Sequence, residues 1–361
     1  MQLSLVVSGA HLSDAHGRTE HLIEADGHAV AARVPVVDER DDPVSVAAAM
    51  GRAVTGFAEA LDRLRPDLLL VLGDRYEMHA AGLAALPLRI PVAHLHGGEL
   101  TRGAIDDCLR HSLTKLSHLH LVSTEVYARR VVQMGEPREH VHVVGAPGLD
   151  NLRQTLQLTP GEIARRYGVS LPDRYVLVAF HPETLAHERT RSHADAILGA
   201  LADAGFADAA VFVVSNADTG GQQVTQAWRA AAEAGRGVVL PAQDSQLYVS
   251  VMARAAAMLG NSSGGIIEAA SLQLPVVNVG DRQAGRIRPR NVLDCPIDRE
   301  AMAAALQLTT DASFRRGLAG MVNPYGDGHA APRIVSILAG ADLDRLIPKR
   351  FCDLSEGANH E

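Results

Sequence analysis

Gly260-Asn261-Ser262-Ser263-Gly264-Gly265-Ile266-Ile267-Glu268 follows the apolar run Ala255 to Leu259, which ends like a buried strand, and leads into Ile266 to Leu272, which reads as a helix. The segment is therefore a strand-turn-helix with small residues at the turn. Glycines let a backbone approach a ligand closely, serine hydroxyls donate to oxygens, and the free amides at a helix start attract an anion. That makes it a candidate cradle for a phosphate or diphosphate, with a merely tight turn as the plain alternative. Glu268, one helical turn beyond Ser263, is placed to accept hydrogen bonds from a sugar's hydroxyls, so a nucleotide is the natural ligand.

The 361 residues, 47% of them hydrophobic, suffice for two cores of ordinary domain size. The most apolar runs, Leu68 to Leu72 and Val211 to Val214, fall far short of the ~20 residues a bilayer requires, and the first residues lack the order of a signal peptide. A cytoplasmic protein with no membrane span is expected. Cys108, Cys295 and Cys352 are far apart and odd in number, so neither a disulfide framework nor a zinc knuckle is indicated. A formal charge of -8 argues against general nucleic-acid binding. Against that acidic background Arg282, Arg286, Arg288 and Arg290 crowd together after the run Pro275 to Val279, either as an anion site or as a solvated basic loop.

Short apolar runs alternate with longer amphipathic or alanine-rich segments. Strands are expected at Leu3 to Val7, Asp67 to Leu72, Val92 to Leu95, His120 to Val122 and Val141 to Val144. A second series comprises Val176 to Phe180, Val211 to Val214, Val238 to Leu240, Ala257 to Gly260 and Val276 to Val279. Such alternation implies an α/β protein with parallel sheets covered by helices on both faces. With the junction in Gly148 to Asp173, the expected units are 1–155 and 156–330, two doubly wound Rossmann-like domains facing a cleft. Residues 331–361 would form a helix and tail packing back on the first domain.

In open parallel sheets chemistry gathers at the carboxyl ends of strands. There the sequence places Asp74 and Arg75, then His94-Leu95-His96-Gly97-Gly98-Glu99, and His181 in Phe180-His181-Pro182. Asp106 and Arg110 share one helix face, as do Asp107 and His111. Each alone reads equally as an ion pair or a satisfied polar residue, and only convergence argues for a site. His94-x-His96 and His118-x-His120 each place two imidazoles on one side of a strand, but no further ligand completes a metal site.

Taken together, Val7-Ser8-Gly9-Ala10-His11-Leu12-Ser13, Gly73-Asp74-Arg75, His96-Gly97-Gly98-Glu99, Ile105-Asp106-Asp107, Arg110-His111-Ser112-Leu113-Thr114-Lys115, His181-Pro182, Gly260-Asn261-Ser262-Ser263, Val279-Gly280-Asp281-Arg282 and Tyr325-Gly326-Asp327-Gly328-His329 resemble the hydrolysing UDP-N-acetylglucosamine 2-epimerases. That family begins sialic-acid and related nonulosonic-acid synthesis. The resemblance covers nearly the whole chain and implies a fold of the glycosyltransferase B type, no metal, no organic cofactor, and a homo-oligomer, dimer or tetramer. It assigns diphosphate, nucleoside and sugar contacts to Arg75, His181, Asn216, Ser262, Ser263, Glu268 and Arg282, and acid and base work to Asp74, Asp106 and Arg110. Where the sialic-acid branch carries a catalytic glutamate, this chain has His96, so either His96 or Glu99 takes over the proton transfer. The histidine form is similar to the branch acting on UDP-2,4-diacetamido-2,4,6-trideoxyglucose, the legionaminic-acid precursor. In the family the strand Leu3 to Val7 is the second, so the resemblance also predicts a first domain lacking its first strand and helix, in a sequence shortened at its amino end. The alternatives of another class are a glycosyltransferase B type transferase, a non-hydrolysing epimerase and a noncatalytic UDP-sugar binder.

Overall fold

The computed structural model describes residues 1–14, 18–36, 42–101, 105–182, 189–214, 221–241 and 245–353, and divides the chain into two compact units. The first comprises Met1–Glu99, Ile105–Ala146 and His329–Glu361, the second Leu100–Ala104 and Pro147–Gly328.

All strands of the first unit run parallel: β1 (Leu5–Ser8), β2 (Val30–Val34), β3 (Leu69–Leu72), β4 (Val92–Leu95), β5 (Leu119–Val122) and β6 (Val141–Val143). They form a β1-β2 pair and a separate sheet in the order β3-β4-β5-β6. β4 and β5 are buried along their whole length, because helices cover both of their faces. At the β3 edge, Leu70 and Leu72 are exposed. β2 was not expected from sequence: in Val30-Ala31-Ala32-Arg33-Val34 an arginine and two alanines dilute the β signal.

The helix Pro43–Leu64 starts where the Asp42 carboxylate accepts from the amides of Val44 and Ser45 and proline occupies the first turn, and it stops at Arg65 in the left-handed region. By length and composition it is apolar enough to cross a membrane. This corrects the expectation that no stretch approaches a span, which followed unbroken apolar runs and passed over an alanine-rich helix. In the fold one face of that helix, with Ala53, Phe57, Ala60 and Leu61, packs in a core shared with β2 and the helix Tyr76–Ala85. Burying such side chains contributes about 1.5 to 3 kcal/mol for each large one. The helix Ala330–Gly340 supplies Ala330 and Ile334 to a core with Ala93, Leu95, Leu119 and Leu121.

The second unit holds β7 (Val176–Ala179), β8 (Ala210–Phe212), β9 (Val238–Val239), β10 (Ala257–Gly260), β11 (Val276–Val279) and β12 (Val292–Cys295) in one parallel sheet of order β12-β11-β10-β7-β8-β9. Counted within the unit this is the 3-2-1-4-5-6 order of a doubly wound sheet, whose switch point lies between β7 and β10. Alternate residues feed two cores: Val176, Val178 and Leu259 face one, Leu177, Ala179 and Met258 the other. Trp228 stacks on Phe212 at 4.8 Å between ring centroids. β12 was unexpected because it is a half-exposed edge strand carrying an aspartate.

The boundary also differs from the expected residue 155. The helix Gly148–Gln154 belongs to the second unit, where it packs on the helical turn Glu268–Ser271.

Candidate active site

In the second unit, the chain leaves β7 at Phe180-His181 and β10 at Gly260-Asn261, the two sides of the switch point. Gly260 has φ +144 and a Cβ there would stand 2.0 Å from the Ala179 carbonyl oxygen, so only glycine lets the strands close this tightly. Asn261 is fully buried. Its Oδ1 accepts from the His181 amide at 2.8 Å and its Nδ2 donates to the His181 carbonyl at 2.8 Å. Its own carbonyl accepts from Gln283 Nε2 at 2.8 Å and from Arg282 Nη1 at 3.4 Å. One side chain and one carbonyl thus join the ends of three strands and fix the positions of His181 and Arg282.

Ser262 caps the next turn, its Oγ accepting from the Gly264 amide at 3.3 Å. The expected helix Ile266 to Leu272 is instead two single turns, Ser263–Ile266 and Glu268–Ser271, interrupted at Ile267. The break is satisfied from outside, since Asn323 Nδ2 donates to the Ile267 carbonyl and to Ser271 Oγ, both at 2.8 Å. Glu268 packs close against the turn: a Cβ on Gly264 would lie 3.4 Å from Glu268 Oε2 and 2.6 Å from the Tyr248 hydroxyl, and one on Gly148 would lie 2.9 Å from Glu268 Oε1. The carboxylate is seated between two glycines. Of the four crowded arginines, Arg288 is structural, its guanidinium pairing with Asp294 at 2.9 Å and donating to the Gln283 carbonyl at 2.8 Å. Asn216 lies outside the described residues.

In the first unit the candidates cluster at the ends of β3, β4 and β5. Arg110, on the helix Asp106–Leu116, is buried, and its Nη2 donates to Asp74 Oδ2 while its Nη1 donates to the His96 carbonyl at 2.9 Å. His96 Nδ1 lies 2.7 Å from Glu99 Oε1, which also accepts from Ser123 Oγ at 3.0 Å. Asp74, Arg110, His96 and Glu99 therefore form one connected set. Asp106 opens the same helix, half-buried, one turn ahead of Arg110. Arg75 immediately precedes the helix Tyr76–Ala85, its side chain half-exposed and 3.8 Å from Glu77.

The two histidines of His94-x-His96 do not share a face, because His96 lies beyond the strand with φ +64. His94 is fully buried, its Nε2 donating to the Gly73 carbonyl at 2.8 Å and its Nδ1 lying 3.2 Å from Thr114 Oγ1. Burial pushes its pKa down to about 3, so it is a neutral brace that holds the backbone before Asp74. His120 Nε2 is likewise engaged, 2.9 Å from Glu136. Desolvation also lowers the pKa of His111, whose Nε2 stands 3.7 Å from Asp107.

Asn261, Gln283 and Ser123 were not singled out from the sequence. Asn261 and Ser123 each follow a strand's last residues, and the strand-end rule applied to every strand would have found them.

The family model for UDP-N-acetylglucosamine 2-epimerase matches residues 1–339. Among curated proteins, the chain is 35% identical over 347 residues to a hydrolysing UDP-N,N'-diacetylbacillosamine 2-epimerase of Legionella pneumophila, covering 96% of this chain and 90% of that one. It is 33% identical over 338 residues to a polysialic acid biosynthesis protein of Escherichia coli, covering 94% and 86%. Among solved structures, UDP-GlcNAc 2-epimerase from Neisseria meningitidis bound to UDP-GlcNAc superposes with a TM-score of 0.75 at 18% identity, covering 94% of this chain and 100% of that one, which speaks to the fold.

Proposed function

We propose, because the chain belongs to the UDP-N-acetylglucosamine 2-epimerase family, that it hydrolyses a UDP-2-acetamido sugar to UDP and the free manno-configured 2-epimer. A base takes the proton at C2, the C1–oxygen bond breaks, and UDP departs from a 2-acetamidoglycal. Water then adds at C1 while C2 is protonated from the opposite face. The reaction as written calls for no metal and no organic cofactor.

The observation that carries this reading is the connected set Asp74, Arg110, His96 and Glu99 in the first unit. A transferase that passes a sugar to an acceptor has to move only the acceptor's hydroxyl proton, whereas elimination and rehydration take a proton from C2 and return one from the opposite face. In the second unit Ser262, Ser263, Arg282 and His181 would hold the diphosphate and Glu268 the ribose. Arg282 and the turn's amides stabilise the negative charge that grows on the leaving diphosphate.

For the sugar, we favour the 4-acetamido-6-deoxy nucleotide, UDP-N,N'-diacetylbacillosamine. The support is His96 in place of glutamate and the Legionella relative named for that substrate. On this reading we infer a step before legionaminic-acid synthesis, and we further propose a cytoplasmic homo-oligomer. The alternative, UDP-N-acetylglucosamine, rests on the name of the family model. Side-by-side kcat/KM on the two nucleotides decides between them, and a clear preference for UDP-N-acetylglucosamine removes the first reading.

A further inference from the structure

The geometry points to a division of labour between His96 and Glu99, and we propose that His96 Nε2 is the base that takes the C2 proton while Glu99 is a positioning residue that fixes its tautomer. This rests on the hydrolysing-epimerase reading and goes beyond it, since the sequence leaves either residue able to move the proton.

The His96 side chain keeps 16% of its exposure and that of Glu99 only 1%. Of the two, the imidazole is the side chain that reaches solvent. Glu99 Oε1 receives both His96 Nδ1 at 2.7 Å and Ser123 Oγ at 3.0 Å. A carboxylate oxygen only accepts, so with Glu99 ionised the imidazole proton sits on Nδ1 and the lone pair on Nε2.

The backbone around the pair is fixed on every side. The His96 amide donates to the Leu121 carbonyl at 3.2 Å, and the His96 carbonyl accepts from Arg110. Arg130 Nη1 donates to the Gly98 carbonyl. A Cβ on Gly98 would stand 2.6 Å from the Tyr127 carbonyl oxygen, so the loop rests directly on the helix Glu125–Gln133. The left-handed φ at His96, +64, is the strained conformation that turns its ring outward from the end of β4. The same Arg110 that holds the His96 carbonyl holds the Asp74 carboxylate, which keeps the two groups in one frame.

In the step itself the Nε2 lone pair takes the proton from C2, the C2–H electron pair becomes the C1=C2 bond, and the C1–oxygen pair leaves on UDP. The imidazolium that results is stabilised by the Glu99 carboxylate, and its proton passes to solvent before the next turnover. Glu99 thereby acts through His96 and never touches the sugar.

The experiment is UDP release from the nucleotide sugar by wild type, His96→Gly and Glu99→Gln, with UDP affinity measured alongside. Wild type that releases no UDP refutes the epimerase reading itself, and with it this proposal. With wild type active, kcat of His96→Gly falls by about 1,000-fold, and added imidazole, which leaves wild type unchanged, restores it by at least about tenfold. Glu99→Gln lowers kcat by about 100-fold, with KM and UDP affinity within about threefold of wild type, because the amide no longer enforces the tautomer. Failure of imidazole rescue in a His96→Gly protein that binds UDP normally overturns the base assignment. A Glu99→Gln protein with wild-type kcat overturns the positioning role. Should His96→Gly not fold, His96→Gln replaces it, and kcat within about tenfold of wild type then refutes the proposal.

Discussion

Lowering the pH should loosen the first unit through His94, and the amount follows from its burial. Its pKa falls from 6.5 to about 3 because desolvation penalises the imidazolium. The unfolded chain therefore binds a proton below about pH 6.5 that the folded chain refuses, so stability present above that pH is lost as the pH falls toward 3. Between about pH 7.5 and about pH 5 the loss assigned to this one group is about 2 kcal/mol. His118 and His120, whose pKa values are also lowered chiefly by burial, act in the same direction. Glu136 is held down to about 2 by His120, Lys115 and Lys349 against its own burial, so its contribution is lost below its ordinary value of 4.5, outside this window. The assay is amide hydrogen exchange in β4 and β5 of wild type and His94→Gln at both pH values, corrected for intrinsic exchange rates. Glutamine can still donate to the Gly73 carbonyl but does not titrate. The opening free energy of wild type should fall by about 2 kcal/mol more than that of the variant. An equal fall in both would refute the view of His94 as a neutral buried brace.

Chemistry and nucleotide binding should separate by unit. Asp74→Asn and Asp106→Asn abolish UDP release and leave UDP affinity near wild type, whereas Ser263→Ala and Arg282→Ala each weaken UDP binding by about 1.5 to 3 kcal/mol; equal loss of affinity in all four, read by calorimetry, contradicts the division. Gly148→Ala drives a methyl group to 2.9 Å from Glu268 Oε1 and should weaken UDP binding more than binding of inorganic diphosphate, because Glu268 is assigned to the ribose; equal effects on the two ligands would remove that assignment.

The second unit was legible because strands buried on both faces read as unbroken apolar runs, as Val176 to Ala179 and Ala210 to Phe212 do. β2 and β12 escaped for the opposite reason: their faces are only partly covered, so alanine, arginine and aspartate interrupt them. In the site, the strand-end rule found Asp74, His96 and His181. Applied to every strand it also reaches Asn261, but not that residue's pairing with His181, 80 residues away, nor the order of His96 before Glu99, which depends on a left-handed backbone at one residue. Arg110 was visible as a helix neighbour of Asp106, but its bond to Asp74 spans 36 residues and belongs to tertiary packing. The break at Ile267 was hidden because Asn323, which compensates it, comes 56 residues later.

The central claim is tested by incubating the chain with UDP-N,N'-diacetylbacillosamine alone, with no acceptor, and separating nucleotides and free sugars by chromatography. UDP and the free manno-configured 2-epimer should appear in equal amounts, with deuterium at C2 when the solvent is D2O. An equilibrium of two nucleotide sugars, or no UDP until an acceptor is added, would contradict it.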